Sequence, residues 1–219
     1  MPKRDIERLL ADIWSKKYAS NLSAKQAWSD YLFDYFKCEY DIQSRVVETG
    51  YSMLSALERY RYDADCELFL TILNGELSED VYRDQSSFLK ALHCEFAAND
   101  KRMNSNKVTQ TLSKDCIAQC LRKLCPAKSD SNMKALLSAL DLNDSHDSVR
   151  YELLFREDRD GNQFLEEVRD QHLSEIIAFV EEVRANLRRA MNQYGQVTVH
   201  QIEEVFKRID PHKHENEVN

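Results

Sequence analysis

Apolar residues recur along this chain at steps of three and four, the period of helices with one buried face. The first run, RDIERLLADIWSKKY, sets Ile6, Leu9, Leu10, Ile13 and Trp14 on one stripe. Ser23 and Gln26 then form a capping box for a second helix, each side chain meeting a free backbone N–H. Trp28, Tyr31, Phe33, Tyr35, Phe36, Tyr40, Tyr51, Tyr60 and Tyr62 follow on more than one helical face. They predict a helix, or a helix pair broken near Gly50, contacted on several sides. A packed core fits this pattern, and so does a protein-binding surface, where aromatics are enriched.

DADCELFLTILNGE predicts a helix entered at Asp63 or Asp65 and stopped by Gly75. The next helix is capped by Ser78 and carries Phe88, Leu89, Leu92 and Phe96 on one side. The later half contains a repeat. SKDCIAQCLRKLCP (113–126) aligns without a gap to TVHQIEEVFKRIDP (198–211). Ser113 matches Thr198 as a cap, Ile117 matches Ile202, Cys120 matches Val205 and Leu121 matches Phe206. Both copies carry a basic pair and end at a proline. A polar turn and a short Val-Thr stretch precede each copy, and SDSNMKALLSALDLNDSHDSVRYELLF between them again reads helix, turn, valine, helix. Leu173, Ile176, Val180, Val183 and Leu187 mark one long helix before the last turn.

Composition narrows the class. Four glycines and three prolines in 219 residues point to an all-α protein. These glycines cannot spell a phosphate cradle, a nucleophile elbow or a dinucleotide fingerprint. The net charge of −8 argues against nucleic acid as a partner. No apolar run reaches membrane-spanning length and the first residues have no signal-peptide core, so no membrane insertion and a cytoplasmic location are expected. Six scattered cysteines fit that compartment, acting as small core hydrophobes. The chain divides into an N-terminal helical region (1–77), a helical array (78–211) and a disordered tail (212–219).

Helix, polar turn, valine stretch and capped helix together resemble the EF-hand superfamily over about residues 79–211. NQYGQVTVHQIEEVFKRIDP carries the likeness best, with Gly195 at the sharp turn, Val197 where paired loops exchange hydrogen bonds and Thr198 at the cap. The region before residue 78, with YRYDADCELFLTILNGELSEDVY, is also similar to helical proteins of cilia and flagella, in particular the translin-associated factor X-interacting protein family. That likeness implies a cytoskeletal setting in a cilium or flagellum.

Calcium needs six or more oxygens from loop positions 1, 3, 5, 7, 9 and 12, with glycine at 6. With Gly195 at position 6, Ala190, Asn192, Tyr194 and Gln201 take positions 1, 3, 5 and 12, with no carboxylate among them. The loop before Ser113 puts Lys107 at position 3 and Cys116 at position 12. The middle turn, 141–152, offers Asp141, Asn143, Ser145, Asp147 and Glu152, but His146 replaces the glycine and Val149 falls one place late. REDRDGNQFLEE (156–167) looks acidic enough, yet Gly161 at position 6 puts Arg156 first, and Asp158 first puts Arg169 last. Cys116, Cys120 and Cys125 lack the tight paired spacing of a zinc site, so core thiols are expected. No catalytic set, metal site or cofactor is assigned.

The expectation is therefore a non-catalytic adaptor of calcium-independent EF-hand-like units that holds an amphipathic partner helix in an apolar groove. Phe96, Ile117, Leu121, Ile202, Val205 and Phe206 are the candidate groove residues. The alternative is a calcium-responsive sensor using the 141–152 turn.

Overall fold

With few backbone breakers and repeated apolar stripes, the chain folds as helices, and 77% of it is helical. The computed structural model describes residues 1–19, 26–104, 107–143, 147–156 and 162–209. The proposed cap Ser23, the centre of REDRDGNQFLEE and the 212–219 tail lie outside the described residues. The chain forms two compact units, Met1–Asp170 and Gln171–Asn219.

The first unit begins with α1 (Lys3–Ala19), α2 (Trp28–Glu39), α3 (Gln43–Arg59) and α4 (Ala64–Leu73). Ile6, Leu10, Ile13 and Trp14 are buried as the stripe requires, and Lys17 continues them. The break in the aromatic segment lies at residues 40–42, not near Gly50, which α3 runs through. One glycine inside a helix costs only about 0.5–1 kcal/mol relative to alanine. The extended backbone of Tyr40 and Ile42 makes the turn instead. The Asp63 carboxylate caps α4, accepting from the N–H groups of Asp65 and Cys66 at 3.1 and 3.2 Å. Gly75 closes the far end at φ +73°, a left-handed conformation that only glycine adopts freely.

Next come α5 (Asp80–Met103), β1 (Thr111–Ser113), α6 (Lys114–Leu124), α7 (Asp130–Asn143), β2 (Ser148–Arg150) and a 3₁₀ turn (Tyr151–Phe155). The sequence predicts an ordinary helix after the middle valine; a three-residue strand and the 3₁₀ turn stand there instead. β1 and β2 pair antiparallel, with Leu112 opposite Val149. The core of this region gathers Leu92, Phe96, Leu112, Ile117, Leu121, Leu140, Val149, Tyr151 and Phe164. α8 (Gln163–Ala190) begins in the first unit and continues into the second, which ends with α9 (Val199–Ile209). Among the described residues, no helix is long and apolar enough to cross a membrane.

The repeat has a structural counterpart. α6 and α9 are both 11 residues long and begin directly after Ser113 and Thr198. Each cap oxygen accepts from the N–H three residues on: Ser113 Oγ from Cys116 at 3.3 Å, Thr198 Oγ1 from Gln201 at 3.3 Å.

Candidate functional site

The loop between α5 and α6 is organised around one carboxylate. Asp100, in the last turn of α5, is fully buried. Its Oδ2 accepts from the backbone N–H groups of Thr109 and Gln110 at 2.9 and 2.8 Å and from the Tyr151 hydroxyl at 3.2 Å. Its Oδ1 accepts from Thr109 Oγ1 at 2.6 Å and Asn104 Nδ2 at 2.8 Å. Burial works against the charge, but the hydrogen bonds from Thr109, Gln110 and Asn104 outweigh it and hold the carboxyl below its ordinary value. Burial, reinforced by Asp100, pushes the Tyr151 hydroxyl up to about 12. Gln110, at the sixth loop position, takes φ +59°, the left-handed conformation usually left to glycine. The loop thus turns sharply around its own carboxylate.

The turn between α7 and β2 faces it through the strand pair. Beyond the ladder, Lys114 N–H donates to the Asp147 carbonyl at 3.1 Å and Tyr151 N–H to the Gln110 carbonyl at 3.2 Å. Val149 lies opposite Leu112, so the ladder counts Val149 as position 8 and Leu153 as position 12. Glu152, counted as position 12 from the sequence, falls one place early. It lies 3.2 Å from His93 Nε2, while Asp141 accepts from Lys114 Nζ at 2.6 Å. The other counted positions Ser145 and His146 lie outside the described residues.

The last turn, in the second unit, is closed by amides. Asn192 Oδ1 accepts from the N–H groups of Tyr194 and Gln196 at 2.9 and 3.0 Å. Gly195 supplies φ +72°. Gln201, at the twelfth position, accepts from Thr198 N–H at 2.8 Å and donates from Nε2 to the Ala190 carbonyl at 3.1 Å. Its side chain therefore joins loop positions 12 and 1 directly. Among the described residues, no three His, Cys, Asp or Glu side chains are grouped to hold a metal ion.

The structure separates the six candidate groove residues. Phe96, Ile117 and Leu121 are fully buried in the first unit, and Val205 is buried in the second. Ile202 and Phe206 are half-buried along α9. In REDRDGNQFLEE, the described Asn162 turns inward, donating from Nδ2 to the Leu154 carbonyl at 2.9 Å. Cys116 and Cys120 are core thiols; burial, with Cys116 adjacent, pushes Cys120 up to about 12. Cys38 and Cys94 are instead exposed on the solvent sides of α2 and α5.

The environment of Lys17 is a feature that the sequence pattern does not announce. Its ammonium is buried, 4.3 Å from the Trp28 ring centre and 4.6 Å from that of Tyr31. Glu79 Oε2 stands 3.6 Å away. A lysine one turn beyond Ile13 and Trp14, on the same stripe, is the one signal of it in the sequence. In the same unit, a cleft of about 610 Å³ lies between the starts of α1, α4 and α8. Charges there pair with each other, Lys3 with Asp63 at 2.9 Å and Arg169 with Asp65 at 2.6 Å.

No family model matches the chain, and no curated protein or solved structure matches it either.

Proposed function

We propose that the protein is a non-catalytic, protein-binding adaptor built from calcium-independent EF-hand-like units. The supporting observation is that side chains close the turns without an ion. Asp100 gathers the donors of the first loop, and Gln201 bridges the ends of the last. A loop so closed has no calcium-dependent change to make, and its helix pair stays in one state. The paired strands and the matched caps of α6 and α9 support the EF-hand-like reading. The partner in this proposal is an amphipathic helix. Ile202 and Phe206 are the candidate residues with surface left to meet it; Phe96, Ile117 and Leu121 would first require the core to open. A place in a ciliary or flagellar assembly rests on the sequence resemblance alone.

The test is calorimetric titration of calcium into chelator-treated protein with magnesium present. No saturable heat is expected. Binding of one ion, lost on Asp141→Ala and Glu152→Ala, would replace the adaptor with a sensor.

A further inference from the structure

Helix α3 is apolar on two faces. Val46, Met53, Ala56 and Leu57 are buried, whereas Val47, Tyr51 and Leu54 stand 48%, 71% and 39% exposed. Val47, Gly50, Tyr51 and Leu54 follow steps of three, one and three, one stripe of a helix. A Cβ built at Gly50 meets nothing within 4 Å, so a gap opens in the middle of this stripe.

We infer that this stripe is a self-association face whose occupant is α3 of a second copy of the chain, packed antiparallel about a two-fold axis between Gly50 and Tyr51. The stripe is complementary to itself in that register. Tyr51 of each copy fills the gap over Gly50 of the other, and Val47 meets Leu54. Gln43 meets Glu58, an amide donor against a carboxylate, and both are exposed in the single chain. The flanking positions are Ser44 and Ser55, small enough to let two helices approach closely. No charge on the stripe meets a like charge. Four apolar positions on one helix cover less than the roughly 800 Å² per partner of a standard interface, so the dimer is weak and concentration-dependent.

Sedimentation velocity of the full chain from about 5 to about 300 µM, where a weak interface dissociates, tests this. The average mass is expected to rise toward twice the monomer. Gly50→Leu fills the gap and Tyr51→Glu places a charge on the axis, so both are expected to remain monomeric. Gly50→Leu should also keep or raise the melting temperature, because leucine has open space there and favours a helix; loss of the dimer is then not loss of the fold. A wild type that stays monomeric throughout, leaving the face to a different protein, overturns the inference. So does a dimer that survives either substitution.

Discussion

Replacing the Asp100 carboxylate by an amide separates its charge from its shape. Asp100→Asn keeps one oxygen and turns an NH₂ toward N–H or O–H donors, leaving buried groups unpaired. A loss of about 2–3 kcal/mol at neutral pH is expected. The sign of its pH dependence follows from the lowered native value. Stability from this group is present above the ordinary aspartate range and is lost as pH falls through the depressed native value. Urea unfolding at neutral pH and near pH 3 should therefore show the gap between wild type and Asp100→Asn narrowing in acid; a constant gap would remove the charge from the account. The missing calcium ligands were legible in the sequence, because Lys107, Cys116, Ala190 and Gln201 occupy counted positions. What replaces the ion was not. Asp100 precedes the loop and reaches Tyr151 through tertiary packing, and Gln201 meets Ala190 only once the turn has closed.

At the scale of elements, the strained residue of the first loop gives a sharper test than the helices do. Gln110 is exposed and holds a left-handed backbone without glycine's freedom. Gln110→Gly should stabilise the protein by about 1 kcal/mol in thermal or urea unfolding. A destabilised variant would mean that the glutamine side chain supports the loop. Leu112→Ala, which empties a buried position of the strand pair, should instead cost about 2–4 kcal/mol. Helices and caps were readable because Asp63, Gly75, Ser113 and Thr198 act through neighbours a few residues away. The strand pair was half-readable, since valine stretches mark it but its register depends on the partner strand. Val149 therefore looked one place late when counted from Asp141, and its pairing with Leu112 sets the count. Periodicity also could not separate a binding groove from a core. Phe96, Ile117 and Leu121 have the spacing of either and lie in the core. Gly50 misled for a different reason: a helix tolerates one glycine when its other face is anchored, as Val46, Met53 and Leu57 are.

For the whole molecule, calcium independence has a thermodynamic consequence that does not depend on locating a site. An ion that binds the native state with a Kd of about 10 µM adds about 2.7 kcal/mol at about 1 mM. For a chain of about 200 residues, that raises the melting temperature by roughly 5–10 °C. Loops closed by Asp100 and by Gln201 have no such stabilisation to gain. Thermal unfolding in calcium, in magnesium and in chelator at matched ionic strength should therefore coincide. Matched ionic strength matters because the net charge of −8 makes any added salt weakly stabilising through screening. Asp141→Ala and Glu152→Ala should each change stability by no more than about 1 kcal/mol, since their partners Lys114 and His93 form solvent-facing pairs. They should leave the coincidence of the three curves untouched. A calcium-specific shift of several degrees that these substitutions abolish would mean that the 141–152 turn exchanges its Lys114 and His93 contacts for an ion. The pairing of that turn with the Asp100 loop would then transmit the change across the strand ladder.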